Sequence, residues 1–218
     1  MSKLWMAVLG VSIAVVAAVA VNLNMTGDEP SIQSAMASEG NGLTVEIGPN
    51  EHIMGDPAAP VTIVEYASLT CSHCAAFHTE ELPEVKKELL DTGKARIVYR
   101  DFPLDQLALR AAALVRCSQP PQRPAMLSLL FQTQGTWATS QDPLAGLDKI
   151  GRAAGMSSEA VRQCLQDEAV LDAVIAQRLE GEQKYNINST PSFVIGGKLY
   201  SGVISAEQMM ELVAGLTP

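Results

Sequence analysis

The chain has 218 residues, which suffices for one sizeable domain or for one domain that carries an insertion. Hydrophobic residues make up 47% and charged residues 18%, a composition that is typical neither of disordered proteins nor of coiled coils. The net charge of −9 argues against nucleic-acid binding, because that binding requires basic side chains that neutralise phosphates. The 4 cysteines are too few for a small scaffold built on disulfides.

The N-terminus has the pattern of an export signal. Lys3 precedes an uncharged apolar run from Leu4 to Val21, which is longer than the usual core of a signal and just long enough to cross a bilayer. We therefore expect residues 1–21 to be a signal peptide or a membrane anchor, and residues 22–42, rich in small and polar side chains, to be a linker. Export bears on the cysteines, since disulfides persist outside a reducing cytosol.

Strand and helix patterns alternate through the first half of the remaining chain. Leu43, Val45 and Ile47 alternate with polar residues and predict a short first strand. The β-branched run 61–66 predicts a buried second strand, and residues 95–100 predict a third. Between these two strands the apolar spacing predicts a helix.

The second half begins with a block of helices. Helical spacing recurs through most of residues 103–186. Two short strands then meet at Gly196-Gly197, a hairpin signal, and a capping box that begins at Ser205 predicts a last helix. The order indicates an α/β unit that a helical block interrupts.

One short motif carries reactive chemistry. Cys71-Ser72-His73-Cys74 follows the predicted second strand and opens a helix. There the free backbone N–H groups and the helix dipole stabilise a thiolate, and His73 adds a neighbour that can become cationic. We therefore expect Cys71 to have a lowered pKa and to be the reacting sulfur, and Cys74, one turn further, to be buried and to resolve the mixed disulfide.

Two other interpretations of the motif remain. One is a buried disulfide without turnover. The other is a zinc site, because Cys71, Cys74 and His78 have ligand spacing and His73 is available as a fourth ligand. By itself, His78 is interpreted as a solvated helix residue.

The motif and its context resemble the DsbA family of the thioredoxin superfamily. The features that carry the resemblance are Cys71-Ser72-His73-Cys74 after the strand 61–66 and Thr190-Pro191 far downstream. The likeness spans about residues 45–216. It implies an α/β thioredoxin-like fold formed by residues 43–102 and 187–218, with an inserted all-helical domain over residues 103–186.

The resemblance also implies roles for single residues. His73 matches the histidine that the family often has before its second cysteine. Thr190-Pro191 matches a loop with a cis proline that lies beside the cysteines and contacts the substrate backbone. Glu65 matches a buried acid, which implies a proton acceptor or relay for Cys74; the alternative is that Glu65 points outward.

Two positions depart from the best-known members of the family. Ser72 replaces a proline between the cysteines, and Thr190 replaces the valine of some strong oxidases. Some isomerases and reductases of the superfamily share that threonine. A disulfide isomerase or reductase therefore remains an alternative, and a zinc-stabilised binding or holdase module is a third reading.

A second cysteine pair lies in the helical block. Cys117 and Cys164 each follow an apolar residue by three positions, so both are expected to face inward. They either bond to one another or remain buried free thiols. Some DsbA relatives from α-proteobacteria carry a second disulfide in the helical domain, and the resemblance implies a structural Cys117–Cys164 bond here.

The preferred function is that of an exported, periplasmic thiol:disulfide oxidoreductase. It would oxidise unfolded or partly folded cysteine-containing proteins through a mixed disulfide on Cys71, without a cofactor. The resemblance implies a DsbB-like membrane quinone reductase as the partner that re-oxidises it.

Overall fold

A mixed five-stranded sheet forms the centre of the protein, with the strand order β1-β3-β2-β4-β5. The computed structural model describes residues 42–48 and 51–216. Strand β2 pairs in parallel with β3, and the other neighbours are antiparallel. The strands are β1 (His52–Met54), β2 (Val61–Ala67), β3 (Ala95–Asp101), β4 (Ser192–Ile195) and β5 (Lys198–Ser201).

Helices make up most of the connection from β2 to β3 and of the connection from β3 to β4. The helices are α1 (Ser72–Ala76), α2 (Leu82–Val85), α3 (Gln106–Cys117), α4 (Arg123–Gln132), α5 (Gln134–Trp137), α6 (Pro143–Ala153), α7 (Ser158–Cys164), α8 (Glu168–Tyr185) and α9 (Ala206–Ala214). Helices α3 to α8 lie between β3 and β4 in the chain. The predicted capping box is confirmed, since Ser205 and Gln208 cap α9 reciprocally.

The helix that follows β2 is not continuous. A π-helical turn, Phe77–Glu81, separates α1 from α2, and a second one, Lys86–Leu90, follows α2. Pro83 stands at the start of α2, directly after the first π turn. Proline has no backbone N–H, so Pro83 cannot donate the hydrogen bond that a continuous α-helix would need. This accounts for a change in the hydrogen-bonding pattern at this place.

Most side chains of the central strands are buried and apolar, because both faces of the sheet are covered. In β2, Ile63 packs with the side chains of α2 and α9, whereas its neighbour Val64 packs with Tyr185 and Ile187 from the other side. Successive side chains of a strand point to opposite faces, so these two neighbours enter different clusters. A third cluster joins both cysteines of the motif to the helical block.

The predicted strand at Leu43–Ile47 is wrong. Leu43 donates one backbone hydrogen bond to the Gly197 carbonyl at 2.6 Å, but residues 42–48 form no strand. The side chains of Leu43, Val45 and Ile47 are partly buried against one face of the sheet. The alternation of apolar residues therefore reflects the burial of every second side chain, in a segment that forms no ladder of strand hydrogen bonds. The first strand is instead His52–Met54, antiparallel to β3.

The proposed export segment, residues 1–21, and nearly all of the expected linker lie outside the described residues. Within the part of the chain that the structure describes, no helix is both long and apolar enough to cross a membrane.

Candidate active site

The two cysteines of the motif lie where β2 passes into α1. Cys71 is the N-cap residue of α1 with an extended backbone, and Cys74 lies in the first turn. Both are free thiols. Cys71 keeps 9% of its surface exposed and Cys74 keeps 0%, so an incoming sulfur can approach Cys71 only.

The surroundings of Cys71 favour its thiolate. Its pKa is lowered from 9.0 to about 5, first by a hydrogen bond from the Cys74 thiol. The backbone N–H groups of Cys74 and His73 act in the same direction, while partial burial opposes them. These N–H groups are those that the start of a helix leaves unpaired, as the sequence predicts.

Cys74 has the opposite tendency. Burial raises the pKa of its thiol well above the ordinary range, and the hydrogen bond to Cys71 and the charges of Cys71 and Glu65 raise it further. The two thiols thus have very different proton affinities. At neutral pH the reduced pair holds its negative charge on Cys71 and its proton on Cys74.

The Thr190-Pro191 loop lies directly beside Cys71. The peptide bond between Thr190 and Pro191 is cis, as expected. The Cys71 thiol donates to the Thr190 carbonyl at 3.3 Å, although 119 residues separate them in the chain. The loop and the motif therefore form one surface around the accessible sulfur.

A glutamine from the helical block holds the motif loop in place. Gln134, buried in α5, donates through Nε2 to the carbonyls of Leu69 and Cys71, at 2.9 and 3.0 Å. Thr70 in the same loop donates to Asp105 at 2.7 Å. Sequence reasoning missed Gln134, because a single glutamine in a helical stretch carries no signal of its own.

Glu65 and His78 form a buried pair behind Cys74. Glu65 on β2 is fully buried, and its Oε1 lies 2.9 Å from Nε2 of His78. The His78 ring stacks on Phe131 of α4, with centroids 4.0 Å apart. The interpretation of His78 as a solvated residue is therefore wrong. His78 lies four residues after Cys74, on the same helix face, and α4 covers that face.

The other candidates are placed differently. The His73 side chain is exposed and makes no hydrogen bond or ion pair within residues 51–216, so only its backbone N–H acts on Cys71. The structure does not bring the proposed zinc ligands together. The described residues contain no group of three or more His, Cys, Asp or Glu side chains suited to a metal.

Cys117 and Cys164 form a disulfide in the structure, with their Cα atoms 6.2 Å apart. The bond ties the C-terminal residue of α3 to that of α7. It lies within the helical block and does not involve the motif cysteines.

Comparison with known proteins agrees with this geometry. A sequence model of the thioredoxin family matches residues 48–214. A Rickettsia conorii protein with the provisional name protein-disulfide oxidoreductase is 33% identical over 156 residues, which cover 71% of this chain and 56% of that protein. The chain thus spans little more than half the length of the curated relatives that it matches.

Solved structures extend the comparison. α-DsbA1 of Wolbachia pipientis matches with a TM-score of 0.72 and 29% identity, over 80% of this chain and 92% of that one. A protein-disulfide isomerase of Novosphingobium aromaticivorans matches with a TM-score of 0.66 and 26% identity, over 78% and 98%. These matches confirm the predicted thioredoxin-like fold. The chain therefore belongs to the thioredoxin family and is a DsbA-like protein, similar to those of α-proteobacteria.

Proposed function

We propose that this protein is a thiol:disulfide oxidoreductase that introduces disulfide bonds into other proteins. The observation that carries the proposal is the asymmetry of the two cysteines. One sulfur is accessible and has a pKa of about 5, and the other is buried and holds its proton. A structural disulfide has no need of such a difference, whereas disulfide exchange depends on it.

The reaction begins with the oxidised pair. A substrate thiolate attacks Sγ of Cys71, so that a bond forms between these sulfurs and the Cys71–Cys74 bond breaks. Cys74 leaves as a thiolate and takes up a proton. A second substrate thiolate then attacks the substrate sulfur, releases Cys71 as a thiolate and closes the substrate disulfide. The substrate loses two electrons and the cysteine pair gains them.

The stabilised thiolate also sets the direction. Hydrogen bonds to Cys71 lower the free energy of the reduced pair, which raises the tendency of the oxidised pair to accept electrons. Turnover then requires a re-oxidant. A DsbB-like membrane quinone reductase fits this need, and export to the periplasm would bring both partners together.

Unfolded or partly folded cysteine-containing proteins are the proposed substrates. The carbonyl of Thr190 faces Cys71 beside the cis bond, at the place where an extended substrate segment would meet the accessible sulfur. In this proposal Thr190 and Pro191 bind the substrate backbone, and Glu65 relays the proton of Cys74.

The first test is oxidative refolding of a reduced protein that needs disulfides. We expect the oxidised protein to promote refolding. The Cys71→Ser variant should lose at least 99% of that activity, about a hundredfold or more, because no accessible sulfur remains for the substrate thiolate to attack. The matched control replaces the other cysteines, Cys117→Ser with Cys164→Ser, and retains activity at a temperature where it is folded. Refolding at the uncatalysed rate with the unaltered protein would refute the proposal.

Disulfide isomerisation or reduction is a second candidate. It is favoured by Thr190 before the cis proline and by the likeness to the Novosphingobium isomerase. The reduction potential of the Cys71–Cys74 pair separates the two. A potential of about −120 to −150 mV supports oxidation, and one of about −250 mV or below supports isomerisation or reduction.

A further inference from the structure

A cleft between the sheet and the helical block collects polar side chains that disulfide exchange does not use. It has a volume of about 260 Å³, and residues of β1, β3, α3, α4 and α8 line it. We call this space, which is bounded by His52, Tyr99, Arg116, Arg123 and Gln177, the junction cleft. Its volume has room for several water molecules or for a small ligand.

Two buried polar atoms at the junction cleft have no partner. The hydroxyl of Tyr99 on β3 and Nε2 of His52 on β1 are both buried, and neither forms a hydrogen bond to residues 42–48 or 51–216. Tyr99 is 3% exposed, and the two rings meet edge-on with their centroids 5.9 Å apart. Buried polar groups without a partner are rare, so two neighbouring ones in a single cleft indicate a bound molecule.

The charges around the junction cleft leave one cation without a counterion. Asp101 is paired with Arg116 at 2.7 Å, and Glu51 is paired with Arg100 at 2.6 Å. Arg123 is half-buried and donates to two backbone carbonyls, at 2.9 and 3.3 Å, and no carboxylate of the described residues forms an ion pair with it. A partly buried guanidinium that no carboxylate neutralises favours an anion beside it.

His52 faces the same space as a neutral donor. Burial, the charge of Arg123 and the charge of His78 lower the pKa of His52 to about 4, so its ring is neutral at neutral pH. A neutral imidazole carries one N–H, and an anion in the cleft selects the tautomer with that proton on Nε2. The effect of Arg123 on His52 also shows that the two side chains lie near one another.

We propose that the junction cleft binds a small oxyanion, a carboxylate or an inorganic ion such as sulfate, through the Arg123 guanidinium, the Tyr99 hydroxyl and Nε2–H of His52. One charged donor and two neutral donors are a combination that recognises anionic oxygens. Water alone would satisfy the two unpartnered atoms but would leave Arg123 without a counterion. Because the three donors come from α4, β3 and β1, the anion ties the helical block to the sheet.

Nuclear magnetic resonance of the imidazole nitrogens follows this site directly. The chain has 3 histidines, and of these His52 lines the cleft whereas His73 is exposed. The oxidised full chain is titrated at neutral pH with sulfate or with acetate, each replacing chloride at constant ionic strength. We expect the Nε2 signal of His52, assigned with His52→Gln, to shift and to saturate, while the His73 signal stays in place.

Two variants each remove one proposed donor. Arg123→Gln removes the charge, and Tyr99→Phe removes the hydroxyl but keeps the ring. We expect each to weaken anion binding about tenfold or more, because each deletes a hydrogen bond to a charged group. Arg110→Gln is the matched control: Arg110 is also half-buried, has no ion pair within the described part of the chain, and lines a different cavity. Near-ultraviolet circular dichroism identifies any variant that does not fold.

A saturating His52 shift that Arg110→Gln retains and that the two cleft variants weaken supports the proposal. If Arg123→Gln does not fold, Tyr99→Phe decides the question by itself. A His52 signal that saturates with neither anion overturns the proposal. So does a folded Arg123→Gln or Tyr99→Phe that binds with unaltered affinity, or a shift that His73 shares, since that is a general effect of salt.

Discussion

Cys71 and Cys74 are chemically identical residues three positions apart, and the fold gives them opposite proton affinities. Donors at the helix start surround Cys71, whereas Cys74 is enclosed by apolar side chains. Each pKa shift is also a contribution to stability, because a thiol whose pKa changes on folding makes the free energy of unfolding depend on pH.

The reduced protein should therefore have a stability maximum near pH 8 to 9. From about pH 5 up to the ordinary value of 9.0, folded Cys71 has lost a proton that unfolded Cys71 still holds, so stability rises with pH. Above 9.0 the unfolded chain also loses the Cys74 proton, which the folded protein keeps, so stability falls. The slope of the rising limb approaches the one-proton limit of about 1.4 kcal/mol per pH unit, and solvent screening of Cys71 narrows the pH window over which stability rises.

Urea unfolding of the reduced and oxidised proteins at several pH values measures this profile. The oxidised protein has no titrating thiol in the motif and serves as the internal control, and reduced Cys71→Ser should lack the rising limb. Parallel profiles for the reduced and oxidised forms would show that Cys71 is not a stabilised thiolate.

At the scale of elements, the motif loop is held by a helix from the inserted block. The amide of Gln134 on α5 bonds two carbonyls of the loop that joins β2 to α1. The helical block is therefore part of the scaffold that places the accessible sulfur of Cys71.

Gln134→Leu should lower the free energy of unfolding by about 1 to 3 kcal/mol, because it leaves two buried carbonyls without a donor while filling a similar volume. The same variant should slow alkylation of Cys71 by iodoacetamide at pH 6, since the loop loses its fixed geometry. Gln132→Leu, at an exposed position just before it, is the control for the substitution itself. Equal effects of the two variants would contradict a specific role for Gln134.

At the scale of the whole molecule, the Cys117–Cys164 bond closes a long loop inside the helical block. Its two residues are 47 positions apart. A cross-link of this span restricts the unfolded chain more than the folded one, so its main expected effect is on stability.

The double variant Cys117→Ala with Cys164→Ala should lose about 4 kcal/mol of unfolding free energy in the chain-entropy model. Urea unfolding of both proteins with the motif cysteines reduced measures the difference. A loss below about 1 kcal/mol would contradict the entropic account. Thiol titration of the denatured, motif-oxidised protein provides the independent check: it should find none, and two free thiols would show that the bond is absent in solution.

Several features of the site were accessible from the sequence because they depend on neighbours along the chain. The position of Cys71 at a helix start and that of Cys74 one turn further follow from the strand pattern that precedes them. The capping box at Ser205 is equally local. Burial of β2 was predictable because its first four residues, 61–64, are all β-branched and uncharged, so this run has no charged face to present to water.

Other features arise only when distant segments meet. Gln134 bonds carbonyls 63 and 65 residues away, and nothing in its local sequence indicates this. His78 was assigned to solvent because a helix pattern does not say which neighbour will cover a given face; Phe131 covers it. Leu43–Ile47 failed as a strand because alternation reports burial, whereas a strand also needs a partner edge.

The Cys71–Cys74 motif, its place at the start of a helix and the order of most strands and helices can be derived from the amino-acid sequence alone. Those depend on spacing and on backbone chemistry that act over a few residues. By contrast, the contacts of Thr190 with Cys71, of Gln134 with the loop and of Glu65 with His78 become visible only in the folded protein. These contacts depend on how buried faces pack, and packing is a property of the assembled core rather than of any segment.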